Sequence, residues 1–394
     1  MACPALVRQG SCRKDGSVLF LKRNETRATF NGTTLHDLID GTTLDDFIFG
    51  RGGDDTLRGG GGNDVIRAGS GLDILEGGTG NDRLFADVGP SSLFGGEGSD
   101  ILVSGTGSDL LNGGIGIDLA SYEQANGRVV LDLTTGRGLH GGSIDTLVQI
   151  ENLLGGDFDD ALSGNAGAND LYGGRGNDNL SGLGGNDRVY GQDGNDKVYG
   201  QAGDDLLEGG SGNDMLDGGA GLNRLEGGTG IDTADYSTLA TAADIRLNIG
   251  QAVSTDRADK LASIENVKGT KASDTIIGDK AANRIEGNGG DDRIDGETGN
   301  DVLAGGTGND RFIFEASDIF GKGQRPFDSG HDVILDFSLA DRIDLSGHVD
   351  ATAFADLKAG ARQVGEDAVI TLGDDTITLD DFQAAELIPS MFLF

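Results

Sequence analysis

The sequence predicts an all-β chain, a parallel β-roll or β-solenoid of nine-residue repeats closed by a β-rich C-terminal region. Three observations predict it. A glycine–aspartate pattern returns every nine residues in near-unbroken register. A large aliphatic residue stands at one fixed place in that pattern. Two spacers of equal length match each other across a constant offset.

From Gly50, steps of nine read GRGGDDTLR, GGGGNDVIR, AGSGLDILE and GGTGNDRLF. The common form is G-G-x-G-x-D-x-U-x, where U is aliphatic. A first block of ten units spans residues 32–121, and its opening units GTTLHDLID and GTTLDDFIF lack the later glycines and read as a cap. A second block of nine units spans 155–235 and a third of five spans 269–313. The spacers, 122–154 and 236–268, have 33 residues each and align at an offset of 114. Tyr122 falls on Tyr236, Leu133 on Leu247, Asp145 on Asp259, and Ile150-Glu151-Asn152 on Ile264-Glu265-Asn266. Such nesting points to duplication of a linear stack rather than to separate globular domains. Residues 1–31 precede the blocks and residues 314–394 follow them.

In the unit at residues 77–85 the first six residues are turn formers. Glycine tolerates positive φ, so the backbone curls and aims its carbonyl oxygens inward. The last three read as a short strand, with Leu84 on one face and Arg83 and Phe85 on the other. Two such units make one coil, and units i and i+2 stack at about 4.8 Å. The position-eight residues Leu57, Ile66, Leu75 and Leu84 then form a narrow interior ladder. The composition suits it: 71 Gly, no Trp and 5% aromatic residues supply no conventional core.

Stacking also places the position-six residues one above another. In the first block these are Asp37, Asp46, Asp55, Asp64, Asp73, Asp82, Asp100, Asp109 and Asp118, with Ser91 as the break. The second block has Asp160, Asp178, Asp187, Asp196, Asp205, Asp214 and Asp232, with Asn169 and Asn223. The third has Asp274, Asp292, Asp301 and Asp310, with Asn283. Stacked carboxylates repel, and calcium resolves this because it takes six to eight oxygen ligands, carboxylate and carbonyl alike. Pairing i with i+2 gives thirteen all-aspartate sites and three aspartate–asparagine sites. The ions would cancel most of the formal charge of −36, which predicts an expanded calcium-free chain and a compact loaded one.

The same charge excludes nucleic acid as a partner. Cys3 and Cys12 are the only cysteines, so a disulfide framework is excluded, with one local bridge or two free thiols left open. No transmembrane segment exists: near the N-terminus the longest apolar run is Val18-Leu19-Phe20-Leu21, far short of a spanning helix or a signal-peptide core.

The units, the spacers of the form Tyr…Leu-Asp-Leu…Asp-Thr-Leu…Ile-Glu-Asn and the C-terminus resemble the RTX family of secreted calcium-binding proteins, from Gly32 to Phe394. The segment SGHDVILDFSLADRIDLSG, a β-hairpin predicted from Val369–Leu372 and Thr376–Leu379, and the ending IPSMFLF resemble the C-terminal region that directs such proteins through a type I secretion channel. The resemblance implies a bacterial, extracellular protein that folds where calcium is abundant.

It stops at residue 31. The first 31 residues hold Arg8, Arg13, Lys14, Lys22, Arg23 and Arg27 against Asp15 and Glu25. Residues 17–21 and 26–30 are expected to pair as a hairpin capping the first coil. The plain reading is a structural cap, the functional one a basic surface for acidic polysaccharide or membrane.

The search for catalytic residues is negative. His36, His140, His331 and His348 are scattered, no H-E-x-x-H or G-x-S-x-G occurs, and Asp328-Ser329-Gly330 sits in the SGHD turn. On the outer face, Tyr172 and Tyr190 are expected to stack, with Arg188 and Lys197 nearby, and Phe49, Arg67 and Phe85 to form a second ladder. Such strips pack sheets together, or dock a cell-surface or matrix polysaccharide. The expectation is a non-enzymatic calcium-folded extracellular protein acting in adhesion, matrix or surface assembly. The alternative is the repeat portion of a secreted enzyme or toxin, a protease, epimerase or lipase.

Overall fold

The computed structural model describes residues 27–255, 257–314, 330–346, 354–373 and 375–394, together with the backbone of two N-terminal strands, Gly10–Cys12 and Val18–Phe20. The chain forms two compact units, Met1–Asp205 and Leu206–Phe394, dividing inside the second block. Each is a parallel β-solenoid.

In the first unit, Thr56–Gly61 lies on Asp73–Thr79 with Leu57 opposite Leu75, and Phe47–Gly52 lies on Val65–Ser70 with Ile48 opposite Ile66. The step is 18 residues, so two repeats make one coil. Several strands inside the blocks, Thr56–Gly61 and Asp73–Thr79 among them, run six or seven residues rather than the expected three, which others such as Arg83–Phe85 keep. The longer ones continue through the first three positions of the next unit, because a position-one glycine has no side chain to keep the backbone out of the sheet. Position two then turns the chain with positive φ, 105° at Gly60, and demands the same of Arg51 at 79° and Leu183 at 75°.

The interior is two facing rows of position-eight side chains. Ile39, Leu57, Leu75, Leu93 and Leu111 stack in one sheet, and Ile48, Ile66, Leu84 and Leu102 in the other, all fully buried. Each contributes about 1.5–3 kcal/mol of burial. Phe85, expected on the outer face, is also buried, because the Arg67 guanidinium lies 3.8 Å over its ring.

The spacers continue the stack. In the first, Val129–Asp132, Arg137–His140 and Ser143–Val148 form an antiparallel meander inserted into one sheet. Its outer strands dock in parallel on the coils to either side, with Leu147 opposite Leu111 and Leu131 opposite Leu162. The facing sheet passes without interruption through Leu119–Ser121, Asn152–Leu154 and Asp170–Arg175. In the second unit, Asp244–Arg246, Gln251–Val253 and Ala258–Ala262 make the same insertion between Arg224–Thr229 and Thr275–Asp279.

The N-terminal hairpin is not the expected one. Val18–Phe20 pairs antiparallel with Gly10–Cys12 and parallel with Leu38–Ile39, while Thr29–Asn31 lies on Phe47–Phe49 in the other sheet. Phe30 falls one coil before Ile48 in the position-eight row, so the interior register overrides local pairing. Cys3, the side chain of Cys12 and the charged residues Arg8, Arg13, Lys14, Asp15, Lys22, Arg23 and Glu25 lie outside the described residues, as do Asp328, Ser329 and His348.

The C-terminal hairpin forms as expected, Asp367–Leu372 with Asp375–Leu379. Its surroundings extend the solenoid. Leu303, Ile334 and Leu379 prolong one row, and Phe312, Ile343 and Phe392 the other. A single α-helix, Phe354–Gly360, packs beside them among the described residues. No described helix is long and apolar enough to cross a membrane.

Candidate metal centre

The position-six aspartates are buried and linked into ladders. Within each, the backbone N–H of one position-six residue donates to Oδ1 of the aspartate one coil on. The bonds run from Asp37 to Asp55, Asp46 to Asp64, Asp55 to Asp73, Asp64 to Asp82, Asp82 to Asp100 and Asp100 to Asp118, all at 2.6–2.8 Å. In the second block they join Asp160 to Asp178, Asp178 to Asp196, Asp187 to Asp205 and Asp214 to Asp232, and in the third Asp274 to Asp292 and Asp292 to Asp310. Asn169 and Asn283 keep the backbone link to Asp187 and Asp301, and Ser91 keeps it to Asp109. The carboxylates therefore do not simply face one another: each is spaced from the next by an amide.

That leaves one oxygen over. Oδ2 of Asp55, Asp64, Asp73, Asp82, Asp100, Asp118, Asp178, Asp187, Asp232, Asp292 and Asp301 is buried without a hydrogen-bond partner. A buried, unpaired carboxylate oxygen is costly. Burial, and then the charges of neighbouring aspartates, push the carboxyls of Asp55, Asp64, Asp178, Asp292 and Asp301 up to about 7. Those of Asp82, Asp118, Asp187, Asp196, Asp232 and Asp310 rise to about 6 from the same leading cause.

The position-one glycine shows where the spare oxygen points. A Cβ placed on Gly59 would collide with Asp64 Oδ2 and come within 2.6 Å of Gly77 O, one coil on. Gly77, Gly173 and Gly287 repeat the arrangement with Asp82, Asp178 and Asp292. Carboxylate and carbonyl oxygens thus converge without nitrogen or sulfur donors, the donor set of a hard cation such as calcium.

The first coils of each block differ. Oδ2 of Asp46, Asp160 and Asp274 accepts the N–H of Thr42, Gly156 and Thr270 at 2.6–2.7 Å, and Asp37 accepts that of Thr33. Oδ2 of Asp109 accepts Gly105 N–H at 3.1 Å and the Ser104 hydroxyl at 3.4 Å. Of the predicted ligands, these close on their own turns. Asp205 and Asp214 are buried in the row like the rest.

Sequence reasoning missed several members of the row. Asp332 and Asp341 accept the N–H of Asp301 and Asp310, and Asp375 accepts that of Gly330. Burial pushes the Asp332 carboxyl up to about 8. In the spacers, Asp145 and Asp259 follow Asp109 and Asn223, and Glu151 and Glu265 follow Asp118 and Asp232. A shorter pattern, D-x-U-x without the glycines, finds the five aspartates.

On the outer face Tyr172 and Tyr190 stack, with centroids 5.0 Å apart and planes 4° from parallel. Arg188 pairs with Asp170 beside them at 3.4 Å, whereas Lys197 belongs to the opposite sheet. Phe49, Arg67 and Phe85 align as the second expected ladder.

The model of the RTX calcium-binding nonapeptide repeat matches residues 31–66, 58–92, 89–120, 150–180, 172–207, 181–216, 199–234, 268–303 and 277–312, more than half of the chain in all. No curated protein matches. Among solved structures, the extracellular lipase LipA of Serratia marcescens is 18% identical with a TM-score of 0.22, covering 58% of this chain and 40% of the lipase. The AlgE6R3 subunit of the Azotobacter vinelandii mannuronan C5-epimerase is 18% identical with a TM-score of 0.13, covering 60% of this chain and 79% of the subunit. The chain thus spans less than half the length of the lipase.

Proposed function

The chain belongs to the RTX calcium-binding nonapeptide repeat proteins, and from that premise we propose that it is a non-enzymatic extracellular protein that folds on calcium and acts in adhesion, matrix or surface assembly. One observation carries the folding part: the row of buried Oδ2 atoms with no protein partner. In low calcium those carboxylates keep the coils apart. In high calcium, Oδ2 of residues such as Asp64, Asp82 and Asp178, with the position-one carbonyls one coil on, hold the ion, and closure of the coils buries the aliphatic rows. Export through a type I channel by residues 314–394 fits this order of events, since the chain would cross unfolded. The stacked Tyr172–Tyr190 pair is a surface on which a matrix polysaccharide would dock.

Calcium titration followed by far-ultraviolet circular dichroism and small-angle scattering tests the folding reading. The expected result is an expanded, β-poor chain in chelator and a compact β-rich one at millimolar calcium. A compact β-rich state in chelator defeats it. Deletion of residues 314–394 is expected to abolish export; undiminished export defeats the secretion assignment.

A further inference from the structure

Inside the blocks, buried carboxylates such as those of Asp64, Asp82 and Asp178 keep an oxygen that no protein group serves. In the two spacers the corresponding carboxylates do not. Asp259 and Arg257 are both buried, at 2% and 4% exposure. Arg257 donates from Nε to Asp259 Oδ2 at 3.0 Å and from Nη2 to Asp217 Oδ1 at 3.4 Å. Its guanidinium carbon lies 4.6 Å over the ring of Tyr236, itself fully buried. Oδ1 of Asp259 accepts the side-chain amide of Asn223 at 2.9 Å. Asn223 stands at position six, so the row has given up a carboxylate where the chain brings in its own cation.

The first spacer serves the same atom by other means. Asp145 Oδ2 accepts the Ser104 hydroxyl at 2.7 Å and the Tyr122 hydroxyl at 2.8 Å, and His140 Nε2 lies 3.0 Å away. Its Oδ1 accepts Asp109 N–H at 2.8 Å. At the 114-residue offset His140 falls on Ser254 and Arg257 on Ser143. His140 and Arg257 are therefore not the same inherited residue, yet both reach the carboxylate that continues the ladder.

We propose that the spacers are calcium-independent joints, in which the chain's own donors occupy the place that calcium takes between ordinary coils, with Arg257 the resident cation of the second. The inference rests on the calcium reading of the block interiors. Each spacer fills its site with a buried tyrosine ring and uses the carboxylate oxygen an ion would need. Each thus stays folded when the blocks open, and offers a formed strand edge on which the next coil stacks when calcium returns.

Hydrogen exchange of the full chain, in chelator and in calcium, tests this. In chelator, amides of Ser143–Val148 and Ala258–Ala262 are expected to exchange at least about tenfold more slowly than those of Asn179–Gly184 and Arg293–Glu297. Arg257→Gln is expected to remove that protection from Ala258–Ala262 and leave it on Ser143–Val148, which serves as the control for folding in the same molecule. Spacer strands that exchange as fast as block strands in chelator overturn the proposal while leaving the calcium reading standing. Arg257→Gln with unchanged protection overturns the role of Arg257. Block strands that stay protected in chelator overturn the calcium reading itself.

Discussion

The two spacers place one carboxylate at the same point of the ladder and satisfy it differently. Around Asp145 the partners are two hydroxyls and an imidazole, all able to be neutral. Around Asp259 the partners are the Asn223 amide and the Arg257 guanidinium, a cationic group shared with Asp217. The aligned tyrosines follow the difference: Tyr122 donates its hydroxyl to Asp145, whereas the Tyr236 ring lies beneath the Arg257 guanidinium, 4.6 Å from its carbon. A duplicated scaffold therefore fixes where the charge must be met, and leaves open which residue meets it.

The largest effect should come from removing each carboxylate. Asp259→Ala leaves Arg257 buried with Asp217 alone and is expected to cost about 3–5 kcal/mol, as breaking a buried ion pair does. Asp145→Ala leaves His140 free to lose its proton and is expected to cost less, about 1–3 kcal/mol. Unfolding of a repeat stack is not two-state, so the comparison belongs to local hydrogen exchange in Ala258–Ala262 and Ser143–Val148. Equal losses would mean that the charge on Arg257 matters no more than the hydrogen bonds around Asp145.

The tyrosines should rank the other way. Tyr122→Phe deletes a hydrogen bond to a buried carboxylate, worth about 1.5–3 kcal/mol. Tyr236→Phe keeps the ring under the guanidinium and is expected to cost less than about 1 kcal/mol. The same exchange measurement ranks them, and a larger loss for Tyr236→Phe would break the contrast.

A pH series separates the spacers without mutation. The hydrogen bond to Asp145, then the charges of Asp145 and Asp109, raise the His140 pKa, against burial, which lowers it. Tyr122 and Ser104, the other groups facing the imidazole, stay neutral, since burial pushes the Tyr122 phenol up well above its ordinary range. A pKa raised in the folded state means stabilisation that is complete below the ordinary histidine value and lost as pH climbs through the raised one. In chelator, protection of Ser143–Val148, corrected for intrinsic exchange, is expected to fall as pH climbs above the ordinary histidine value of about 6.5, while that of Ala258–Ala262, whose spacer carboxylate faces a guanidinium instead of an imidazole, is expected to hold. A parallel fall in both would place the pH response outside His140.

Much of the architecture was legible in the sequence because its period is the period of the structure. Nine residues give a turn and a strand, and a fixed aliphatic such as Leu75 has one place to go. The repulsion between stacked position-six carboxylates pointed to calcium for the same reason. What was not legible involves contacts that the repeat does not encode. The amide between stacked aspartates follows from three-dimensional register. The Thr29–Asn31 strand joined a coil because Phe30 fits the interior row, which outweighs a local hairpin. Asp332, Asp341 and Asp375 escaped because their units have lost the glycines of positions one and two while keeping the aspartate and the aliphatic. Arg257 escaped because its partners, Asp217, Asp259 and Tyr236, lie up to 40 residues from it and only the meander brings them together.

The smallest expected effect tests how fully Asp145 is served. Ser104, in the block before the spacer, is one of three donors around its Oδ2, and the residue aligned with it at the 114-residue offset is Gly218 of the second block, which has no hydroxyl. Ser104→Ala leaves Tyr122 and His140 on that oxygen, and the methyl fits where the hydroxyl sat. The carboxylate is then short of one bond but not bare, so the cost should be about 1 kcal/mol, the net worth of a single hydrogen bond. Local exchange in Ser143–Val148 would register that as roughly a fivefold acceleration. A loss as large as that of Tyr122→Phe would show that the three donors act as one network, in which no member substitutes for another. The first spacer would then be as exacting in its hydrogen bonds as the second is in its charge.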